Sequence, residues 1–342
     1  MTELNNQNSP FIHFHQKINF KFDGKKYHGY KGDTIASALL RHGVKLIGRS
    51  FKYHRPRGIY TCGIQEPNAL VQIISEYSEP NARATIKKIY EGMEVESHNR
   101  WPSLDFDIGS INSLFSPLFS AGFYYKTFMG PHKSFWKKIY EPVIRKAAGL
   151  GKPPKEFKAI SSHLHHNVDI VIVGGGINGL LAAESLIDTE YDVLLIESDN
   201  QLGGVLNNSS KINEINGQNT QDWIKKTVEN IEKSKNIKIL KNTLVTTYNY
   251  INHLIAVEDK YVGAKPAEDK VNSTLHKIRT EHVILSNGHI ERFLSFQNND
   301  LPGIMLGASF EKYVCRYGVI PSKEPVIFSN NSNTNSLVKT LL

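Results

Sequence analysis

The run Val168–Leu180, VDIVIVGGGINGL, constrains this chain more than any other segment. Apolar Val171, Ile172 and Val173 break into Gly174-Gly175-Gly176-Ile177-Asn178-Gly179, and apolar Leu180, Leu181, Ala182 and Ala183 follow. The pattern is that of a buried parallel strand, a tight turn and a helix. A second strand, Asp192–Ile196, then ends in Glu197, 18 residues beyond Gly179. Strand, glycine turn, helix, strand and acid in that order make a dinucleotide-binding βαβ unit.

Each residue type has a physical task in such a unit. Gly174 makes the turn, Gly176 lets backbone approach a pyrophosphate, and Gly179 lets helix and strand pack closely. The helix N-terminus presents free N–H groups and a positive dipole end to the phosphates. Glu197 accepts hydrogen bonds from an adenosine ribose, and its charge repels a 2′-phosphate. Gly203 and Gly204 follow shortly after, as in two-dinucleotide-binding flavoproteins, where FAD is the usual ligand. A later strand, Val283-Ile284-Leu285, leads into Ser286-Asn287-Gly288, where that group carries Ala-Thr-Gly. The candidate cofactor-binding set is therefore Gly174, Gly175, Gly176, Ile177, Asn178, Gly179, Glu197, Ser198, Gly203, Gly204, Ser286, Asn287 and Gly288. FAD and NAD share the ADP half that this set reads, so NAD and FAD both stay open.

At 342 residues there is room for two or three domains. No stretch approaches 18 uninterrupted apolar residues, so no membrane span is expected. The polar start MTELNNQNSPFIHFHQ lacks the basic and apolar regions of a secretory signal. Two cysteines, Cys62 and Cys315, cannot build a disulfide framework, and a reducing cytoplasm is the expected compartment. The formal charge of +8 comes from dispersed lysines without a nucleic-acid motif. Anionic cofactors and an acidic partner subunit account for it better than nucleic acid.

Ahead of the nucleotide unit the pattern changes. Residues 1–16 read as a flexible arm and 17–98 as a small α+β domain. Ile18–Phe22 and Lys25–Tyr30 alternate around Asp23-Gly24, a hairpin signal. Asp33 or Thr34 caps a helix through Arg41, and further strands are expected at Ala69–Ile74, Arg83–Lys87 and Met93–Glu96. This is a β-grasp arrangement like that of plant-type ferredoxins. A [2Fe–2S] centre needs four ligands, whereas the loop Ser50–Val71 carries only Cys62, so a clusterless domain is expected. Arg49, Lys52, Arg55 and Arg57 either bind a phosphate or acidic partner or form a solvated basic loop. Residues 99–166 form an aromatic-rich connecting segment. Phe106, Phe115, Phe119, Phe123, Tyr124, Tyr125, Phe128, Phe135 and Trp136 lie between Trp101 and Tyr140. Their burial requires flanking domains or another chain. Lys152–Lys158 reads as a linker, and His163, His165 and His166 lie in its polar continuation without a further ligand at metal spacing. Residues 167–342 complete the organisation as an FAD/NAD(P)-binding Rossmann domain of the two-dinucleotide class. The fold class is α/β and α+β.

The segments GRSFKYHRPRG (48–58), EPNALVQ (66–72), WPSLDFD (101–107), SPLFSAGFYYKTFMGP (116–131), YEPVIRKAAGLG (140–151) and NNDLPGIMLGASFEKYVCRYGV (298–319) together resemble the alpha subunits of heterotetrameric sarcosine oxidases. The resemblance extends over nearly the whole chain from about residue 17. It implies oxidative demethylation of sarcosine to glycine, with formaldehyde or methylene-tetrahydrofolate and hydrogen peroxide as further products. It implies NAD at the Rossmann site, and FMN and FAD held with a beta subunit. Gamma and delta subunits complete the heterotetramer so implied, and the N-terminal domain is clusterless. Pro325–Asn331 should open a second nucleotide-type domain, with a helix from Ser336 to Leu342 and a tetrahydrofolate-binding half beyond, so a truncated chain is expected. No catalytic base is identifiable. Two other readings remain: a non-catalytic NAD-binding scaffold fragment, or a subunit of an FAD-dependent proline- or opine-type amine dehydrogenase.

Overall fold

The computed structural model describes residues 9–75, 78–114, 130, 132–142, 144, 151, 160–208, 212–267, 270–331 and 337–338. Two compact units emerge. The first holds residues 1–157, 292–310 and 317–325, and the second holds 158–291, 311–316 and 326–342.

In the first unit, β1 (His13–Phe22) and β2 (Lys25–Lys31) form an antiparallel hairpin. Asp23 and Gly24 both have positive φ, 49° and 77°, the turn that matches strand twist and that Asp-Gly accommodates. Helix α1 (Ile35–Arg41) starts at Thr34, whose side chain accepts from the Ser37 N–H, while Ser37 Oγ accepts from the Thr34 N–H. This reciprocal cap satisfies two amides that would otherwise be stranded. Strands β3 (Leu70–Ile74), β4 (Glu79–Arg83) and β5 (Met93–Ser97) complete a sheet of order β2-β1-β5-β3-β4, with β1 and β5 parallel. A hairpin, a covering helix and a parallel last strand constitute the β-grasp fold. One expected strand is displaced. Residues 83–87 were expected to pair, but β4 ends at Arg83, and Ile86 and Lys87 donate back to the Arg83 carbonyl in a turn.

The second unit is built on β6 (Ile160–Val173), α2 (Ile177–Ser185), β7 (Val193–Ile196), α3 (Thr220–Lys233), β8 (Ile237–Leu240), β9 (Thr243–Asn249), β10 (His253–Asp259) and β11 (Val271–Leu285). Its sheet runs β8-β7-β6-β11-β10-β9, parallel from β8 to β11 and antiparallel from β11 to β9. Helices α2 and α3 cover one face through Ile172, Leu180, Ala183, Leu195, Trp223 and Ile231. Val171, Leu194, Ile196, Leu254, Ala256 and Ile278 pack on the other. Burial on both faces is why Val171–Val173 and Val193–Ile196 read as unbroken apolar runs.

Three expectations are corrected. The strand carrying the glycine turn begins at Ile160, because pairing with β11 over Val271–Leu285 extends it back through His163, His165 and His166. Those histidines are therefore strand residues rather than linker residues. Residues 292–310 and 317–325, expected in the Rossmann domain, cluster with the first unit. The segment Pro325–Asn331 is not a strand: among the described residues it has no ladder partner, and Val326 is 96% exposed. Of the aromatic segment, Phe115, Phe119, Phe123, Tyr124, Tyr125 and Phe128 lie outside the described residues, as does Lys152–Lys158. Trp101 and Phe106 lie at the surface, 64% and 68% exposed.

Candidate dinucleotide site

Every residue proposed for the site from sequence lies at the C-terminal edge of the parallel strands. Gly174 leaves β6 with φ 103°, and a side chain there would run into the Ser286 carbonyl. Ser286 in turn donates its N–H to the Val173 carbonyl at 2.8 Å, so the turns after β6 and β11 are stitched together. A Cβ at Gly179 would collide with the Gly174 carbonyl, so this glycine sets how closely α2 approaches the strand. Gly176 differs: a Cβ there meets nothing nearer than the Gly204 Cα, 4.0 Å away. The fold itself therefore does not require glycine at 176, whereas a ligand approaching the backbone does.

Gly204, with φ 54°, packs directly against Gly176: a Cβ on it would come within 2.9 Å of the Gly176 Cα. Gly203 donates to the Gly175 carbonyl at 2.7 Å, which holds the second glycine pair against the first. Helix α2 has Gly176 as its N-cap and no side-chain cap, leaving its first amides to a ligand or solvent. Asn178, Asn287 and Gly288 are exposed at this rim, and Ile177 is half-buried.

Glu197 is buried at the end of β7. Its Oε2 accepts from the Gly175 N–H at 2.7 Å, and its Oε1 accepts from Ser198 Oγ at 3.0 Å and the Asp199 N–H at 2.8 Å. A carboxylate offers about four acceptor positions, so one remains, on Oε2. Sequence reasoning missed a second layer around these residues. Arg316, 5% exposed, grips Asp199 at 2.6 Å and donates to Asn208 Oδ1, while Asn208 Nδ2 donates to the Gly204 carbonyl. One guanidinium thus braces both the loop after Glu197 and the second glycine pair. Only its position within NNDLPGIMLGASFEKYVCRYGV hinted at it, because its partners lie more than a hundred residues away in sequence.

The first unit carries the other candidate loop. Residues 15–100 match the family model described as a 2Fe-2S iron-sulfur cluster binding domain, and residues 172–223 match that of an NAD(P)-binding Rossmann-like domain. Sarcosine oxidase subunit alpha of Rhizobium meliloti (strain 1021) is 42% identical over 332 residues, 95% of this chain. Over almost its whole length the chain is similar to sarcosine oxidase alpha subunits. The subunit from Corynebacterium sp. (strain P-1) is 28% identical over 93% of the chain. The chain spans about a third of the length of these relatives, 33% and 28%. Among solved structures, L-proline dehydrogenase from P. horikoshii superposes with a TM-score of 0.60 at 19% identity, covering 94% of this chain and 49% of that one. It shares the fold.

A cluster does not fit the first unit of this chain. Four ligands are needed, and between residues 15 and 100 the only cysteine is Cys62, buried at 3% exposure. The loop is organised by a different group. Glu66, 2% exposed, accepts from the Tyr60 and Thr61 N–H groups and Thr61 Oγ1 on one oxygen, and from the Asn68 and Ala69 N–H groups on the other. Nor are the loop arginines free for a phosphate. Arg55 and Arg57 both pair with Asp300, and Arg49 donates to the Leu104 and His54 carbonyls. The hydrogen bond from Arg55 holds the Asp300 carboxyl below its ordinary range, with the Arg57 charge adding to the effect. Among the described residues no cluster of histidine, cysteine, aspartate and glutamate could hold a metal ion. Among them, no helix is long and apolar enough to cross a membrane.

Proposed function

We propose that this chain is the dinucleotide-binding part of the alpha subunit of a cytoplasmic sarcosine oxidase complex. The complex demethylates sarcosine oxidatively to glycine, yielding formaldehyde or methylene-tetrahydrofolate and hydrogen peroxide. The observation that carries this reading is 42% identity along 95% of the chain to a sarcosine oxidase alpha subunit, with the glycine cradle intact.

In this reading NAD occupies the Rossmann cradle, with FAD as the alternative. The space into which a side chain at Gly176 would point supports a ligand there, since no protein atom comes nearer to it than 4.0 Å. The pyrophosphate approaches the backbone at Gly176, and the amides of Ile177, Asn178 and Gly179 at the uncapped helix start donate to it. The remaining acceptor position of Glu197 takes an adenosine ribose hydroxyl. Ser198 and Asp199 fix the carboxylate for that bond. Ser286, Asn287 and Gly288 border the opposite side. A nicotinamide or flavin bound here supplies a two-electron acceptor; the chain's own residues bind and orient it. FMN and a further FAD belong with the beta subunit, gamma and delta subunits complete the assembly, and tetrahydrofolate binds outside this chain. The one-carbon product makes the complex part of one-carbon metabolism.

The test is to co-purify the chain with its proposed partner subunits, denature the complex and identify the released ligands by mass spectrometry. Sarcosine-dependent peroxide production should appear with the partners and be absent from the chain alone. A complex that releases no stoichiometric dinucleotide refutes the cradle assignment. One that retains its dinucleotide but ignores sarcosine refutes the substrate.

A further inference from the structure

In the sheet of the second unit, β10 and the part of β11 paired with it contribute nothing to the core under α2 and α3. On β10 and β11 the even-numbered residues Leu254, Ala256, Thr274, His276 and Ile278 are buried, so their odd-numbered neighbours form the other face. Strand register places Asn167, Arg279 and His253 in one row across β6, β11 and β10. The adjacent row holds His165, Lys277 and Ile255. Together with His166, all of these except Ile255 line a groove of about 500 Å³ that contains no carboxylate.

Like charges directly opposite one another destabilise a sheet, and opposite-charge pairs stabilise it. Here Lys277 and Arg279 stand two residues apart on one strand, each facing a histidine across the ladder. Among the described residues neither cation, nor His165 or His253, has a side-chain hydrogen bond or ion pair. Three other cations of this unit do pair with carboxylates: Arg316 with Asp199, Lys241 with Glu232, Lys260 with Glu258. The nearest carboxylates along the strands, Asp169 and Glu281, lie outside the groove lining.

We propose that this groove is a second ligand site, for a small polyanion carrying at least two phosphate or carboxylate groups. Its volume lies within the range of roughly 300–1,000 Å³ typical of small-molecule sites. It is separate from the dinucleotide cradle. Gly174 lies about eight residues beyond His166 along the same strand, a span of roughly 26 Å at strand rise. The inference does not rest on the identity of the dinucleotide or on sarcosine oxidation.

The experiment is isothermal calorimetry of the full 342-residue chain at low ionic strength, with tripolyphosphate and, separately, citrate as probes. Saturable binding is expected with millimolar NAD present, weakened several-fold by added salt because exposed charge pairs are screened. Lys277→Gln/Arg279→Gln should weaken it at least tenfold with an unchanged melting temperature. Asn167→Glu, which keeps both cations but adds a carboxylate to the groove, should weaken it as well, whereas Lys238→Gln should not. Tighter tripolyphosphate assigns the site to phosphates and tighter citrate to carboxylates. Absence of binding by either probe overturns the proposal. So does binding that both groove variants retain, or that NAD abolishes.

Discussion

Replacing Gly176 with alanine separates what the fold needs from what a ligand needs. The residue has φ −74° and ψ −171°, backbone that alanine adopts without strain. Its Cβ would have only the Gly204 Cα in reach, at 4.0 Å, an ordinary van der Waals distance. The free protein should therefore change stability by less than about 1 kcal/mol, the size of the opposing unfolded-state and capping effects of this substitution. Binding should respond differently. Phosphate oxygens sit roughly 2.7–3.2 Å from amide nitrogens, and a methyl carbon in that approach holds them off. Losing one charge-assisted hydrogen bond costs about 1.5–3 kcal/mol, or roughly 10- to 150-fold in affinity. Gly179→Ala supplies the contrast, since its Cβ would collide with the Gly174 carbonyl and force α2 off the strand. That variant should lose about 3 kcal/mol or more of stability. Calorimetric titration with NAD and FAD, beside thermal melts of both variants, reads the two quantities separately. An alanine at 176 that binds like the wild type, or one at 179 that melts like it, refutes the reasoning.

Four further outcomes are expected. Glu197→Ala should lower NAD affinity and narrow its margin over NADP; equal binding of both by the wild type would remove Glu197 from the ribose. Glu66→Gln turns an amide NH₂ toward backbone donors in the buried loop and should cost about 3 kcal/mol in urea melts; a cost below about 0.5 kcal/mol would mean the loop is held by other contacts. Asp300 has a depressed carboxyl, so its contribution is present above the ordinary carboxylate range and lost as pH falls through its lowered folded value. Asp300→Asn should therefore cost about 1 kcal/mol at pH 6, after discounting for partly exposed arginines, and converge with the wild type well below pH 4; a pH-independent difference would exclude the ion pair as its cause. Reconstitution with iron and sulfide should load no cluster, and stoichiometric iron lost in Cys62→Ser would reverse the assignment of a clusterless domain.

Local signals determined much of this chain. The Asp23-Gly24 hairpin, the Thr34 cap and the glycine turn after Val173 are all decided within a few residues, by φ preference, amide satisfaction and steric contact. The cap therefore reads as Asp33 or Thr34, of which the fold selects Thr34, and the hairpin and the glycine turn read directly from sequence. So does the Glu197 position, because a βαβ crossover has a nearly fixed length. Tertiary structure alone decided the partners that are distant in sequence. The pairing of β6 with β11 turned His163–His166 from linker into strand and brought Lys277 and Arg279 beside them. Arg316 reached Asp199 and Asn208 only through the fold, and Asp300 consumed the charges of Arg55 and Arg57, which from sequence were equally available to a phosphate. Residues 83–87 carry strand propensity yet form a turn, because backbone pairing depends on which neighbour is present. Propensity is a property of the residue, but a ladder, an ion pair or an open charged face belongs to two or more segments, and loop-closure geometry decides which segments meet.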